Sequence, residues 1–223
     1  MNNQQKRTEK KVPSKKTVYL TFDDGPSQNT LKVLDILKGY GLKATFFVNG
    51  NNTDFGKDIY RRIVEEGHAI GNHTYSHNYS HLYASIDNYI QDTLKLERLI
   101  AETTGVKPDI IRFPGGSNNL VSRRYSHGDI MDELTKRMLD EGYQYFDWHI
   151  DSKDASSTTP PKEKIIKAVL SGIGNKKSAI ILFHDSASKT TTVEALPIII
   201  ETLIYMDFEF EPLTGESMVV HFK

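Results

Sequence analysis

What most constrains this chain is a change of hydrophobic period that recurs from Thr17 onward. Short apolar runs rich in β-branched and aromatic residues alternate with longer segments whose apolar residues return at helical spacing. The short runs predict strands at Val18–Phe22, Ala44–Val48, Ala69–Asn72, Ile110–Phe113, Tyr143–Asp147, Ala179–Phe183 and Phe208–Pro212. Between them the spacing predicts helices at Thr30–Tyr40, Lys57–Glu66, Ser85–Thr104, Asp129–Glu141, Lys162–Ser171 and Val193–Met206. Strands separated by helices favour βα units around a parallel sheet, so an α/β barrel of about seven strands is expected. Gly41, Gly67, Gly105 and Gly142 each follow a helical run, where a left-handed C-terminal cap is expected. Pro197 falls inside the last helical pattern, so that helix is expected to begin later or to kink there.

The chain of 223 residues, 38% hydrophobic and 26% charged, is long enough for one large domain, residues 17–223, with no internal repeat. Residues 1–16 differ. They hold Lys6, Arg7, Lys10, Lys11, Lys15 and Lys16 against Glu9 alone and almost no apolar residue, which predicts a basic disordered tail or linker. The formal net charge is −1, so the overall balance gives no reason to expect a nucleic-acid partner. With no cysteine, disulfides and thiolate metal sites are excluded. No run reaches the length of a membrane-spanning helix, and the first residues lack the apolar core of a signal peptide. A soluble chain is expected, with any export signal or anchor lying outside it.

Chemistry in parallel α/β barrels collects after the strand C-termini. Each polar cluster falls at such a place: Asp23 and Asp24 after the first strand, HTYSH after the third, RFPGGS after the fourth, DWHIDSKD after the fifth and FHD after the sixth. His73 and His77 stand four residues apart, which on a helical turn puts both imidazoles on one face. One added carboxylate completes three protein ligands with an open position, the pattern of a catalytic divalent site. Asp24 is the candidate for that carboxylate, leaving Asp23 as a base. Two adjacent aspartates at a strand end need compensation, and a cation for one with Arg112 for the other would supply it. His68, His81, His127 and His221 are expected in structural roles. Tyr75, Tyr79, Tyr83 and Tyr125 lie in or near rim loops, where such rings either present a flat face to a ligand or pack half-buried.

The segments TFDDG, HTYSH, RFPGG, DSKD and LFH follow the order and approximate spacing of five motifs in the NodB-type polysaccharide deacetylases, carbohydrate esterase family 4, which the chain resembles from Thr17 to its end. The resemblance implies a distorted (β/α) barrel that holds one divalent metal ion, zinc first and cobalt as an alternative, through Asp24, His73 and His77. It implies Asp23 as the base that deprotonates a metal-activated water, the backbone amide of Gly115 at the oxyanion, and His184 as the acid that protonates the leaving amine. Arg112 would orient Asp23 and lower its pKa. Asp154 would hold His184, with Asp151 and Asp185 as competitors for that place. Leu182 would line the pocket for the acetyl methyl.

Two positions depart from the family pattern. Ala155 follows Asp154 where a tryptophan is usual, so the aromatic wall is missing or comes from elsewhere, with Trp148, the only tryptophan, either supplying it or merely packing at the barrel rim. Gly115 replaces the usual tyrosine of the third motif. The resemblance implies removal of N-acetyl groups from N-acetylglucosamine units of a polysaccharide, peptidoglycan first, releasing acetate. Chitin oligosaccharides, another exopolysaccharide or acetylxylan are alternatives, as is a barrel that has kept glycan binding and lost catalysis. A monomer without a protein partner is expected, working outside the cell or at the envelope.

Overall fold

The computed structural model describes residues 15–126 and 128–222. Most of the expected basic tail, and His127, lie outside them. Lys15 and Lys16, the last two residues assigned to that tail, are in contact with the domain. Lys15 pairs with Glu209, the Lys16 ammonium donates to the Met206 carbonyl at 3.0 Å, and the Glu209 amide donates to the Lys16 carbonyl at 2.8 Å.

The strands are β1 (Thr17–Asp23), β2 (Thr45–Val48), β3 (Ala69–Asn72), β4 (Ile110–Ile111), β5 (Gln144–Tyr145), β6 (Ile150–Asp151), β7 (Ser178–His184) and β8 (Glu209–Phe210). Around them run α1 (Gln28–Tyr40), α2 (Asp54–Glu65), α3 (Tyr79–Leu82), α4 (Ile86–Thr104), α5 (Met131–Asp140), α6 (Lys162–Ile173) and α7 (Thr190–Tyr205). All pairings are parallel, in the order β5-β4-β3-β2-β1-β7-β6. One edge of β1 carries β7 along its whole length. The other carries β8 at Thr17 and Val18 and β2 from Thr21 to Asp23.

Alternation along the strands decides what the sheet presents on each side. Val18, Leu20 and Phe22 of β1, with Phe46 and Val48 of β2 and Ile181 and Phe183 of β7, enter the main core beneath the helices. The Phe22 ring stacks between Phe46 and Phe183 at 5.2 and 5.4 Å, contacts worth about 0.5–1.5 kcal/mol each beyond their burial. The other face of these strands carries Tyr19, Phe47 and Ile180 into a second cluster inside the curved sheet. By the same alternation Thr21, Asp23, Leu182 and His184 face this interior.

The curved sheet of about seven parallel strands expected from the sequence is present, and it differs in detail at the fifth strand. The expected fifth strand, Tyr143–Asp147, pairs only at Gln144–Tyr145, and a separate β6 follows at Ile150–Asp151. Phe146 and Asp147 leave the ladder because their carbonyls accept from the Arg112 guanidinium at 2.9 and 3.2 Å. Among the described residues no ladder joins β5 to β6, so the sheet is an open half-barrel. The C-terminal segment sits in the opening: the Asp147 amide donates to the Val220 carbonyl at 2.9 Å, and His221 stacks on Tyr145 at 3.7 Å.

The helices follow their capping chemistry. Ser27 and Thr30 form a reciprocal capping box at the start of α1, and Gly41 ends that helix at φ 67°. Thr53 caps α2 through the Gly56 amide, so the helix starts at Asp54, three residues before the expected Lys57. α7 begins at Thr190 and contains Pro197 rather than starting after it. Among the described residues no helix is long and apolar enough to cross a membrane.

Candidate active site

The two adjacent aspartates of the first motif point different ways because the chain turns between them. Asp23 still obeys the alternation of β1 and is buried. Asp24 takes φ 76°, the left-handed region that aspartate tolerates better than most residues. Their carboxylates therefore serve separate partners. Asp23 Oδ1 accepts from Arg112 Nη1 at 2.9 Å, while Asp24 Oδ1 lies 3.5 Å from His73 Nε2 and 3.3 Å from His77 Nε2.

His73 and His77 do share a site, but a helical turn is not the reason. Residues 73–78 form an irregular loop after β3 in which Thr74 and His77 take φ 72° and 49°. Asp92, buried on α4, holds that loop by accepting from the amides of Tyr75 at 2.6 Å and Ser76 at 2.9 Å. Asn72 Oδ1 accepts from the Thr74 amide at 2.9 Å, and the Asn49 side chain donates to the carbonyls of His73 and Thr74. Nothing local in the HTYSH segment announces Asp92 or Asn49.

One ligand atom from each of Asp24, His73 and His77 lies within 4.8 Å of the others. The donor set fits a divalent cation. Asp24 Oδ1 is buried and has no hydrogen-bond partner in the protein, and burial, reinforced by His77, holds the pKa of His73 down at about 3, so its imidazole is neutral. His73 Nδ1 donates to the Arg112 carbonyl at 2.8 Å, which leaves Nε2 as the ligating nitrogen.

Arg112 is fully buried and holds the Asp23 side of the cluster together. Besides Asp23 it donates to Thr21 Oγ1 at 2.6 Å and to the Phe146 and Asp147 carbonyls, and its plane lies 4.4 Å from the Phe47 ring centroid. Its effect on Asp23 is smaller than the sequence suggested. Burial is the strongest influence and lifts the Asp23 carboxyl above its ordinary range, with Arg112 and then His184 opposing it.

On the other side, His184 ends β7 and its Nδ1 donates to Asp154 Oδ1 at 2.7 Å. Asp154 Oδ2 accepts from the His184 amide at 2.7 Å and from Thr192 Oγ1 at 2.9 Å. Of the three aspartates considered for this place, Asp154 holds it. Asp151 instead pairs with Lys153, and Asp185 is buried next to Gly25 with neither side-chain oxygen hydrogen-bonded. Burial opposes charge on His184, yet the Asp154 hydrogen bond and carboxylate, with Asp23 and Asp24, raise its pKa to about 9.

Asp23, Asp24, His73, His77 and His184 line one cavity of about 290 Å³, together with Gly115, Leu182, Trp148, Ala155, Tyr79 and Lys189, while Arg112 and Asp154 stand buried behind it. A larger hollow of about 480 Å³ between Ser117 and Tyr145 contains none of the metal-site or proton-transfer residues. The structure places both departures from the family pattern on the cavity wall. At Gly115 φ is 82°, and a Cβ there would lie 3.0 Å from the Tyr79 hydroxyl and 3.1 Å from Asn119 Cβ, so a larger residue would strain the backbone and press on both neighbours. Trp148 and Ala155 both lie on the cavity wall. Trp148 is braced by Phe222, whose ring meets it edge-on at 4.8 Å. Buried Asp147 ties this wall to the third motif, accepting from the Ser117 and Phe222 amides at 2.8 and 2.7 Å. His68 and His81 are not part of the site. His68 Nδ1 accepts from the Ala44 amide at 3.1 Å, and the His81 carbonyl accepts from Asn88.

A curved parallel α/β sheet with an Asp-His-His cluster between a buried carboxylate and a carboxylate-bound histidine defines a metal-dependent hydrolase of acyl groups. Comparison with known proteins narrows this class. A profile described as polysaccharide deacetylase matches residues 10–146. A peptidoglycan-N-acetylglucosamine deacetylase of Bacillus cereus is 32% identical over 206 residues, covering 91% of this chain and 71% of the relative. The crystal structure of the catalytic domain of peptidoglycan N-acetylglucosamine deacetylase from Eubacterium rectale superposes with a TM-score of 0.91 at 34% identity, covering 97% of this chain and 96% of that one. A polysaccharide deacetylase from Bacillus cereus gives a TM-score of 0.78 at 32% identity, with 92% and 96% covered. The chain belongs to the polysaccharide deacetylase family, the NodB-type carbohydrate esterases of family 4.

Proposed function

We propose that this protein hydrolyses the N-acetyl group of N-acetylglucosamine units in peptidoglycan, releasing acetate, with zinc held by Asp24, His73 and His77. The observation that carries this reading is the convergence in one cavity of that ligand set with Asp23, backed by Arg112, and His184, backed by Asp154. The names of the Bacillus cereus and Eubacterium rectale relatives support peptidoglycan as the polymer. A wall polymer puts the working site outside the cytoplasm, which fractionation of the native product tests.

When bound, a divalent ion supplies Lewis-acid polarisation of the acyl carbonyl and acidifies water in its open coordination position. The protein supplies the proton transfers. Asp23 Oδ1 is engaged by Arg112, while Oδ2 lies 3.9 Å from His73 Nε2 and faces the ligand cluster. Asp23 takes the proton of the attacking water on that oxygen. Gly115 offers its backbone N–H to the developing oxyanion, and Leu182 gives the acetyl methyl an apolar wall. His184 has Nδ1 committed to Asp154, so the proton it gives to the leaving nitrogen comes from Nε2. Water adds to the carbonyl carbon, the C–N bond breaks, and acetate and a free amine result.

The test is acetate release from peptidoglycan and from N-acetylglucosamine oligomers by protein stripped of metal and then refilled with zinc or cobalt. Release only after refilling is expected, with peptidoglycan the better substrate. Metal-replete protein that releases nothing from either would overturn the reading.

A further inference from the structure

Lys189 lines the catalytic cavity, yet its ammonium does not face it. The side chain is buried, with 8% of its surface exposed, and Nζ donates to three backbone carbonyls, those of Asp154 at 3.0 Å, Ser157 at 3.1 Å and Thr158 at 3.2 Å. All three donors of the ammonium are therefore matched within one short loop. Burying a lysine is costly unless its charge and donors are satisfied, so a three-carbonyl seat marks a position built for the cation.

Elsewhere the loop is held at Ser156, whose Oγ accepts from Lys164 Nζ at 2.9 Å and whose amide donates to the Lys153 carbonyl at 3.1 Å. Residues 155–159 are exposed and form only bends and turns, and Asp154 is the buried residue that begins them. Yet this loop must deliver the Asp154 carboxylate to His184 within hydrogen-bond reach. The start of α7 does that work at both ends of the residue. Lys189 holds the Asp154 main-chain carbonyl, and Thr192, three residues on, donates to its Oδ2. The Lys189 amide donates in turn to the Ser186 carbonyl at 2.9 Å, two residues past His184, so lysine and acid share one short connection.

We propose that Lys189 is a positioning residue for the proton-donating histidine: by seating the carbonyls of residues 154, 157 and 158 it fixes the Asp154 carboxylate against His184. The proposal rests on the deacetylase reading and adds to it a residue that touches neither the ligand cluster nor the reacting atoms. It predicts that losing the lysine degrades proton delivery, not metal or glycan binding.

The test is a double-mutant cycle on the zinc-loaded protein, using Lys189→Met, Asp154→Asn and the pair. Lys189→Met is expected to lower kcat for an N-acetylglucosamine oligomer by about 10- to 100-fold, the scale on which small misplacement of a catalytic group is felt, with zinc content and KM unchanged. In the Asp154→Asn background the same substitution should cost no more than about twofold further, because the carboxylate it positions is gone. The low-field proton resonance of the His184 Nδ1–H should be present in the parent and broadened or lost in Lys189→Met. Equal losses in both backgrounds, or an unchanged resonance, would overturn the proposal. If Lys189→Met does not fold, Lys189→Arg carries the same comparison, since a planar guanidinium keeps the charge without matching three carbonyls. The resonance also separates this proposal from the functional reading, because it is measurable on protein that releases no acetate.

Discussion

Asp23 and Asp154 are both buried acids paired with a cation, one on each side of the ligand cluster, yet their surroundings push them in opposite directions. Asp23 sits beside a fixed charge, Arg112, and burial still dominates, so its carboxyl is raised and ready to take up a proton. Asp154 is more deeply satisfied. Burial again works toward the neutral form, but the His184 side chain, the His184 amide and Thr192 together hold its pKa below the ordinary value. Its partner carries the consequence, with His184 raised to about 9. Pairing with an arginine that never releases its proton makes a carboxylate the titrating group, whereas pairing with histidine makes the imidazole the titrating group. Two similar pairs thus suit the opposite roles proposed for them, Asp23 as base and His184 as acid.

The sharpest way to break that assignment is Asp23→Asn, which keeps shape and removes the proton acceptor. Acetate release should fall by about 100- to 10,000-fold, with bound zinc measured by elemental analysis unchanged. A loss of zinc instead would mean that Asp23 belongs with the ligands. On the other side, Asp154→Asn should lower kcat by about 10- to 100-fold and move the alkaline limb of the pH–rate profile to lower pH, because His184 loses the carboxylate that favours its charged form. An unmoved limb would detach His184 from that ionisation.

The same pair makes a stability prediction for the metal-free protein. The folded state raises His184 from an ordinary 6.5 to about 9, so it holds a proton that the unfolded chain releases between those values. The stabilisation is complete below pH 6.5 and is lost as pH rises through 9. Urea unfolding of parent and Asp154→Asn at the two ends should show the difference between them shrinking toward alkaline pH. The smallest effect is expected from Ala155→Trp, which adds an aromatic to a cavity wall that Trp148 already supplies. A few-fold change in KM for oligosaccharide, with kcat nearly constant, is expected from initial rates. A large drop in kcat would mean that position 155 bears on the chemistry.

Much of this was legible in the chain itself, and the misses have physical causes. Strand and helix placement held where periodicity was long, as in β1, β7 and α4. It failed at Tyr143–Asp147, where a distant arginine draws two carbonyls out of the ladder. The expected helical turn for His73 and His77 failed for a similar reason, since Asp92, seventeen residues beyond Tyr75, organises an irregular loop instead. Lys189 lies close to His184 in sequence, but the neighbours that give it meaning begin 35 residues before it.

Sequence alone placed the candidate reactive groups at the strand ends that carry them, because residue type and a period of two are local properties. The tertiary structure alone decided the direction of each ionisation, the rotation of Asp24 toward the histidines, and the clamp of α7 on Asp154. Those depend on burial and on contacts between residues far apart in the chain, and neither is encoded by spacing.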